Sequence, residues 1–173
     1  MILLFTGNGK GKTTASLGQM VRVIGRGKNA LMIQFIKGPW RSGEDEFGER
    51  FKIEDLRFKI VKMGLGFVGI LGDKLPREEH RKAAEKALEF FKKEAASGKW
   101  QLIVLDEINV AVSIGILNAE RVLEAIKDYP KENLLILSGR NAPQEFVDIA
   151  NLVTEMKEIK HPFNDGELAK YGI

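Results

Sequence analysis

The chain has 173 residues, a formal net charge of +3, 44% hydrophobic and 29% charged residues, a composition typical of folded globular proteins and not of disordered ones. It has no cysteine, which excludes disulfides and thiolate metal sites. No apolar run approaches the ~20 residues that span a bilayer, and residues 1–5 lack the features of a signal peptide. Basic and acidic residues are interspersed, which disfavours a nucleic-acid partner. We therefore expect one cytoplasmic domain over residues 1–173, with neither a membrane nor a nucleic acid as partner.

The first motif is a glycine- and lysine-rich turn between an apolar run at residues 2–5 and a helical pattern that begins near Ala15. A strand, such a turn and Lys-Thr at a helix start are the arrangement of a phosphate-binding loop. Backbone N–H groups of the turn and the helix attract an anion, Lys12 adds a full charge, and the Thr13 hydroxyl is a Mg²⁺ ligand. The usual spacing is not fully met, because its first glycine position falls on Thr6.

Strand-like and helix-like patterns alternate along the rest of the chain, which predicts an α/β fold with a mostly parallel sheet and helices on both faces. The predicted strands are residues 1–5, 30–35, 57–63, 100–105, 133–138 and 152–159. The predicted helices are residues 13–25, 44–51, 76–97, 119–128 and 142–150, with a buried segment at 109–116. His80 falls on the polar side of the third helix and is expected to be solvent-exposed.

Polar residues follow several of the predicted strands, at the edge where open α/β sheets bind ligands. Asp106 and Glu107 follow four apolar residues, as in a Walker B strand, where a carboxylate orients Mg²⁺. Lys37 and Trp40 follow the second strand, either in the ligand site or in an ordinary turn with a half-buried Trp. Arg140 follows the fifth strand, as a phosphate or carboxylate contact or as a surface arginine.

Residues 64–72 form a glycine loop that carries apolar side chains. It contains a G-x-G-x-x-G match, but we expect no helix to open inside it, and so we do not interpret it as a dinucleotide fingerprint. The loop is either a crossing in the core or a mobile lid for a ligand with an apolar face.

A phosphate loop with a Mg²⁺ carboxylate indicates a nucleoside triphosphate but leaves the reaction open. Hydrolysis that drives motion, phosphoryl transfer and transfer of another part of the nucleotide all fit these residues.

Several segments resemble the ATP:corrinoid adenosyltransferases that act on cob(I)yrinic acid a,c-diamide and cob(I)alamin. These segments occur in the same order along nearly the whole chain and are F-T-G-N-G-K-G-K-T-T at 5–14, Gln34–Gly38 with Trp40 and Gly43-Glu44, Leu105–Glu107, Gly139-Arg140 with Ala142-Pro143, and Lys160–Phe163 with the ending Gly172-Ile173. The shortened phosphate loop from Gly7 to Thr13 is that family's own form.

The resemblance implies a three-layer P-loop NTPase fold of the RecA-like type. It also implies transfer of the 5′-deoxyadenosyl group of ATP to the Co(I) of a reduced corrinoid, with release of triphosphate, in adenosylcobalamin (vitamin B12) biosynthesis or salvage. The substrates are then ATP and the corrinoid, the metal is Mg²⁺ with Mn²⁺ as the alternative, and the partners are an electron donor such as a flavodoxin-type reductase and a second copy in a homodimer. A P-loop ATPase or regulatory NTPase of RecA-like fold is the alternative function.

The resemblance also assigns roles to individual residues. Lys10, Lys12 and Phe67 would serve catalysis, and Thr13, Glu107 and Asp106 would bind the metal. The expected nucleotide contacts are Gly7, Asn8, Gly9, Lys10, Gly11, Lys12, Thr13, Thr14 and Arg22. Phe67 matches an aromatic that displaces the lower ligand of the corrinoid, whereas the family's Trp two residues further on is Gly69 here, which would hand part of that role to Ile70 or Leu71.

Overall fold

The computed structural model describes residues 1–50, 57–70, 72–162 and 166, with the side chains of 48–50 left out. Strands and helices alternate as predicted. The strands are β1 (Ile2–Thr6), β2 (Ala30–Gln34), β3 (Phe58–Lys62), β4 (Leu102–Asp106), β5 (Leu134–Ser138) and β6 (Leu152–Glu155). The helices are α1 (Lys12–Ile24), α2 (Gly43–Arg50), α3 (Arg77–Ala96), α4 (Ile108–Ser113), α5 (Ala119–Ile126) and α6 (Gln144–Ile149). Predicted helix position 51, Leu71 and most of the segment after 162 lie outside the described residues.

All six strands lie in one parallel sheet with the order β3-β2-β4-β5-β1-β6. The register pairs Phe5 with Ser138 and Gln34 with Asp106. The carboxyl ends of β1, β2, β4 and β5 therefore meet at one edge, and the residues that follow these strands are brought together there.

Two apolar clusters cover the two faces of the sheet. One contains Met20 and Val23 of α1 together with alternate residues of the central strands. The other contains Leu88 and Phe91 of α3, with contributions from α4, α5 and α6. Strands β2 and β4 are buried along their whole length, because helices cover both faces of the sheet. The chain therefore has the three-layer α/β architecture of P-loop NTPases that the sequence predicted.

The last strand is shorter than predicted. β6 ends at Glu155, and its four residues are exposed at the edge of the sheet. The prediction of a strand to residue 159 is wrong because the chain after Glu155 turns toward the loop that follows β1, where the carbonyl of Met156 accepts a hydrogen bond from Gly9 N–H at 2.7 Å.

His80 is buried, with only 3% of its surface exposed, so the prediction of a solvent-exposed histidine is wrong. Its Nε2 lies 3.0 Å from Oδ2 of Asp73. The sequence pattern placed His80 on a polar helix face, but the polar group that covers it comes from the preceding loop.

Across the part of the chain that the structure describes, none of the helices combines the length and apolar character that crossing a membrane requires.

Candidate active site

The loop between β1 and α1, residues 7–11, lies against the backbone that follows β6. Gly7 has φ +93° and Gly11 has φ +125°, values that side chains rarely allow. A Cβ on Gly9 would lie 2.7 Å from the carbonyl carbon of Lys157. These contacts explain the glycines: the loop needs left-handed backbone and a close backbone neighbour. Asn8, Lys10 and Thr14 are exposed around it.

Lys12 closes the phosphate loop from inside. Its Nζ donates hydrogen bonds to the carbonyls of Gly7 and Gly9, each at 2.7 Å, and the residue is only 7% exposed. Burial lowers the pKa of the Lys12 ammonium, and the negative charge of Glu107 opposes that shift. The ammonium is thus held at the centre of the loop, where the phosphate loops of P-loop proteins carry their lysine.

Asp106 is fully buried and joins three elements at the carboxyl edge of the sheet. Its Oδ1 accepts from the Thr13 hydroxyl at 3.0 Å and from Ser138 Oγ at 2.7 Å, and its Oδ2 accepts from Gln34 Nε2 at 3.1 Å. Neither Gln34 nor Ser138 is assigned a role by the sequence patterns. Each is a polar residue at the carboxyl end of an otherwise apolar strand, and that position was the available signal.

Glu107 adopts a left-handed backbone conformation, with φ 62° and ψ 21°, between β4 and α4. Such a conformation costs a non-glycine residue about 1–3 kcal/mol and is common at functional sites. Burial and the adjacent Asp106 raise the pKa of the Glu107 carboxyl, while Lys12, Lys37 and Arg140 act in the opposite direction. Glu107 therefore interacts electrostatically with three cations that come from three separate segments: Lys12 at the start of α1, Lys37 after β2 and Arg140 after β5.

The donor set fits a magnesium ion that is shared with phosphate. Thr13, Asp106 and Glu107 offer hydroxyl and carboxylate oxygens, the ligands that Mg²⁺ prefers. Within the described residues, no group of three or more His, Cys, Asp and Glu side chains could hold a metal ion.

Two exposed aromatic side chains lie beside one another on the loops after β2 and β3. Trp40 is 63% exposed and Phe67 is 46% exposed, and their ring centroids are 6.1 Å apart. A Cβ on Gly66 would lie 2.7 Å from the Trp40 ring, so the absence of a side chain there lets the indole lie on the loop backbone. Trp40 is thus more exposed than the half-buried residue of an ordinary turn. No helix opens within 64–70 or at 72, as expected.

Arg22 lies apart from these residues. It is ten residues after Lys12 on α1, roughly 15 Å along the helix axis, and lines a cavity with Gln101 and Leu134, which belong to the opposite edge of the sheet. The structure brings together the loop, Asp106 and Glu107, but it does not bring Arg22 to them. The expected contact of Arg22 with a phosphate in this loop does not fit that position.

Comparison with known proteins agrees with this arrangement. The family model described as ATP:corrinoid adenosyltransferase BtuR/CobO/CobP matches residues 1–173. The chain belongs to this adenosyltransferase family. It is 33% identical to the corrinoid adenosyltransferase of Escherichia coli and 34% identical to the corrinoid adenosyltransferase CobA of Salmonella typhimurium, in both cases over 100% of this chain and 84% of the relative.

The fold is also shared with a distant solved structure. The flagellar accessory protein FlaH from Methanocaldococcus jannaschii superposes with a TM-score of 0.54 at 10% identity, over 89% of this chain and 69% of that protein. At this identity the likeness concerns the fold alone. In this chain, the phosphate loop after β1 and the carboxylates after β4 therefore lie on an α/β scaffold that a distant protein also uses.

Proposed function

We propose that this chain transfers the 5′-deoxyadenosyl group of MgATP to the Co(I) centre of a reduced corrinoid, cob(I)yrinic acid a,c-diamide or cob(I)alamin, and releases inorganic triphosphate. The reaction would serve the biosynthesis or salvage of adenosylcobalamin. The observation that carries the proposal is a phosphate loop closed by Lys12 beside Asp106 and Glu107, in a chain that the adenosyltransferase family model matches from end to end.

The chemistry requires orientation and charge stabilisation more than proton transfer. The electron pair of Co(I) forms the Co–C bond to C5′ of the ribose, and the C5′–O bond breaks so that triphosphate leaves with its electron pair. A nucleophile of this kind needs no general base. The protein's task is to hold C5′ in line and to stabilise the negative charge of the leaving group.

The loop supplies that stabilisation. The loop N–H groups and the N-terminus of α1 favour an anion, and Lys12 and Lys10 add two positive charges. Lys12 is preorganised by its bonds to Gly7 and Gly9, whereas Lys10 is exposed on the outside of the loop. We therefore assign Lys12 the main electrostatic role and Lys10 a secondary one.

Thr13, Asp106 and Glu107 would hold Mg²⁺, which neutralises charge on the phosphates when it is bound. The Thr13 hydroxyl already donates its proton to Asp106, so its oxygen lone pairs are available for a cation. Asp106 is fixed by Ser138 and Gln34 and would mainly orient Thr13. Glu107 would supply a carboxylate oxygen to the metal, and Lys12, Lys37 and Arg140 act on its pKa against the effect of burial.

Phe67, with Trp40 beside it, would face the corrinoid. A corrin ring is broad and has apolar faces, and aromatic side chains stack well on such surfaces. The two rings are exposed on loops that follow β2 and β3, at the same edge of the sheet as Asp106. Lys37 lies in the loop that carries Trp40 and acts electrostatically on Glu107, which supports a position of this loop near the proposed nucleotide site.

The remaining parts of the proposal come from the family resemblance: a homodimer, a flavodoxin-type electron donor, a cytoplasmic location and Mn²⁺ as an alternative metal. The organisation of residues 1–173 as one domain also stays a prediction.

The test is product analysis. Protein, MgATP and a chemically reduced Co(I) corrinoid should yield adenosylcorrinoid and triphosphate in equal amounts. ADP and phosphate without alkylated cobalt would contradict the proposal and favour the alternative, a P-loop ATPase. A Lys12→Ala variant run in parallel shows whether any product depends on the loop.

A further inference from the structure

A hydrogen-bonded His–Asp pair with little exposed side-chain surface lies outside the nucleotide site, at the junction of α3 with the loop before it. His80, on the first turn of α3, has 2% of its side chain exposed, and Asp73 has 8%. Their Nε2 and Oδ2 atoms are 3.0 Å apart. Charged groups are rarely buried unless they are paired and hydrogen-bonded. No step of the proposed reaction uses either residue, so their burial calls for a different explanation.

Asp73 organises the backbone of the glycine loop. Its Oδ2 accepts a hydrogen bond from Gly69 N–H at 2.8 Å, and its Oδ1 accepts one from Leu75 N–H at 3.0 Å. Its own N–H donates to the carbonyl of Ile70 at 3.1 Å. These two backbone donors, together with His80, lower the pKa of the Asp73 carboxyl. The carboxylate thus ties together both sides of a turn whose third anchor is the side chain of His80.

The turn needs such an anchor because its backbone is intrinsically loose. Gly66, Gly69 and Gly72 all have positive φ, and glycine loses more conformational entropy on ordering than any other residue. Val68 packs against the apolar core beside Phe67, but Ile70 is 59% exposed, so apolar burial does little to hold the part of the loop after Val68. That part is fixed by the hydrogen bonds to Asp73 and, through His80, by the helix α3.

The same loop carries Phe67 two residues before Gly69. Phe67 contacts Trp40 across the gap between two loops, and Gly66 lies directly on the Trp40 ring. The aromatic pair is therefore only two residues along the chain from the backbone that Asp73 holds.

We propose that Asp73 and His80 are positioning residues that hold the glycine loop so that Phe67 lies against Trp40 and presents its ring to the corrinoid. The corrinoid part of this statement rests on the proposed function. Neither residue touches the reacting atoms. Their role is to fix the position of Phe67 in the folded protein before the corrinoid binds. This preorganisation reduces the conformational entropy that is lost on binding.

The structural part can be tested without any substrate. In wild type, the amide protons of Gly69 and Leu75 should exchange slowly, because both are bonded to Asp73. His80→Leu removes the ring nitrogen at similar volume and should speed exchange at both amides. His80→Gln, whose amide nitrogen can occupy the place of Nε2, should restore most of the protection. Unchanged exchange in a folded His80→Leu protein would overturn the proposal.

Tryptophan fluorescence gives a second readout of the same loop. The chain has two tryptophans, and Trp100 is only 2% exposed, so an aqueous quencher reports mainly on Trp40. His80→Leu should increase quenching as Phe67 moves away from the indole, and His80→Gln should resemble wild type. Trp40→Phe serves as the control that identifies the source of the signal. Identical quenching in wild type and His80→Leu would count against the proposal.

Kinetics then connect the loop to the corrinoid. His80→Leu should raise the corrinoid KM by about tenfold, since small misplacements of substrate-positioning groups carry costs of this order or larger, while the KM for MgATP stays unchanged. Asp73→Asn, which keeps the side-chain shape, should act in the same direction. Equal effects on both KM values, or none, would overturn the positioning role.

The two proposals fail in different ways. If wild type forms no adenosylcorrinoid, the proposed function is wrong, whatever the exchange data show. If wild type is active and the His80 and Asp73 variants retain the wild-type corrinoid KM, the proposed function is upheld and the positioning role is wrong. Should His80→Leu fail to fold, amide protection in wild type and the behaviour of Asp73→Asn still decide the question.

Discussion

Lys12 closes the phosphate loop through its hydrogen bonds to Gly7 and Gly9, and we propose that it also offers its charge to a bound phosphate. Burial already lowers its pKa, so the charge is held at some cost in the free protein. A buried ammonium of this kind is preorganised, and preorganised charge stabilises a transition state more than a mobile surface charge does. Lys10, on the same loop but exposed, lacks that advantage.

We therefore expect Lys12→Ala to lower kcat/KM for MgATP by about 10²–10³-fold, the range found when one preorganised donor is removed. Lys10→Ala is the matched comparison and should lower kcat/KM much less, because the Lys10 ammonium is exposed to water. Steady-state release of triphosphate measures both. Near-wild-type kinetics in Lys12→Ala, or equal losses in both variants, would contradict the ranking. Circular dichroism checks that the loop change has not unfolded α1.

Trp40 provides a second prediction at the scale of one side chain. Trp40 is 63% exposed and therefore leaves apolar surface in contact with water. A ligand that covered this surface would gain binding free energy. Trp40→Ala should raise the corrinoid KM roughly tenfold, which corresponds to about 1.4 kcal/mol of lost stacking, and leave the MgATP KM unchanged. Trp40→Phe should fall between the two. Titration of Co(II) corrinoid by absorbance gives the affinity directly, and wild-type affinity in Trp40→Ala would show that the indole is not in contact with the ring.

At the scale of elements, the phosphate loop, α1 and the segment after β6 form one unit. The loop fits against the backbone at 156–157 because it has no side chains at Gly7 and Gly9. Gly18, in the middle of α1, has the opposite surroundings: a Cβ there would meet nothing within 4 Å. Gly9 and Gly18 therefore allow the same substitution to be compared in a crowded and in an open position.

Gly9→Ala should destabilise the protein by about 1–3 kcal/mol, the usual cost of overpacking, and should impair MgATP use because the loop must shift. Gly18→Ala should stabilise α1 by roughly 0.5–1 kcal/mol, since alanine is the better helix former, with unchanged kinetics. Urea unfolding and MgATP KM are the measurements. Effects of the same sign at both sites would contradict the contact between the loop and residues 156–157.

Comparison of elements also shows which parts of the structure could be predicted. The parallel sheet and the phosphate loop depend on local patterns: buried apolar runs, and glycines next to Lys12 and Thr13. The pairing of His80 could not be predicted, because its partner lies seven residues earlier on a different element. The full set of Asp106 contacts was also beyond local patterns, since Gln34 and Ser138 become its neighbours only through the strand order β2-β4-β5. The end of β6 was missed because the chain there bonds to a loop that is distant in sequence.

At the scale of the whole molecule, Glu107 lowers the stability of the fold at a position that the proposed function requires. Its left-handed backbone and its buried carboxyl both cost free energy of folding. Its pKa is raised above the ordinary value of 4.5, chiefly by burial and then by Asp106. Deprotonation is therefore harder in the folded than in the unfolded state. This cost is absent below pH 4.5, where the carboxyl is protonated in both states, and it appears as the pH rises through the raised folded value.

It follows that Glu107→Gln should raise the free energy of unfolding at neutral and alkaline pH in the nucleotide-free protein, and that this gain should disappear below pH 4.5. Denaturant unfolding at several pH values measures it, with Glu124→Gln at an exposed position of α5 as the control. Glu107→Gln should also be less active with MgATP, because a neutral amide replaces the carboxylate that faces Lys12, Lys37 and Arg140. Added MgATP should then stabilise wild type more than Glu107→Gln. A variant that is no more stable than wild type at pH 8 would mean that the three cations fully compensate the buried charge, and that Glu107 carries no stability cost to set against its role.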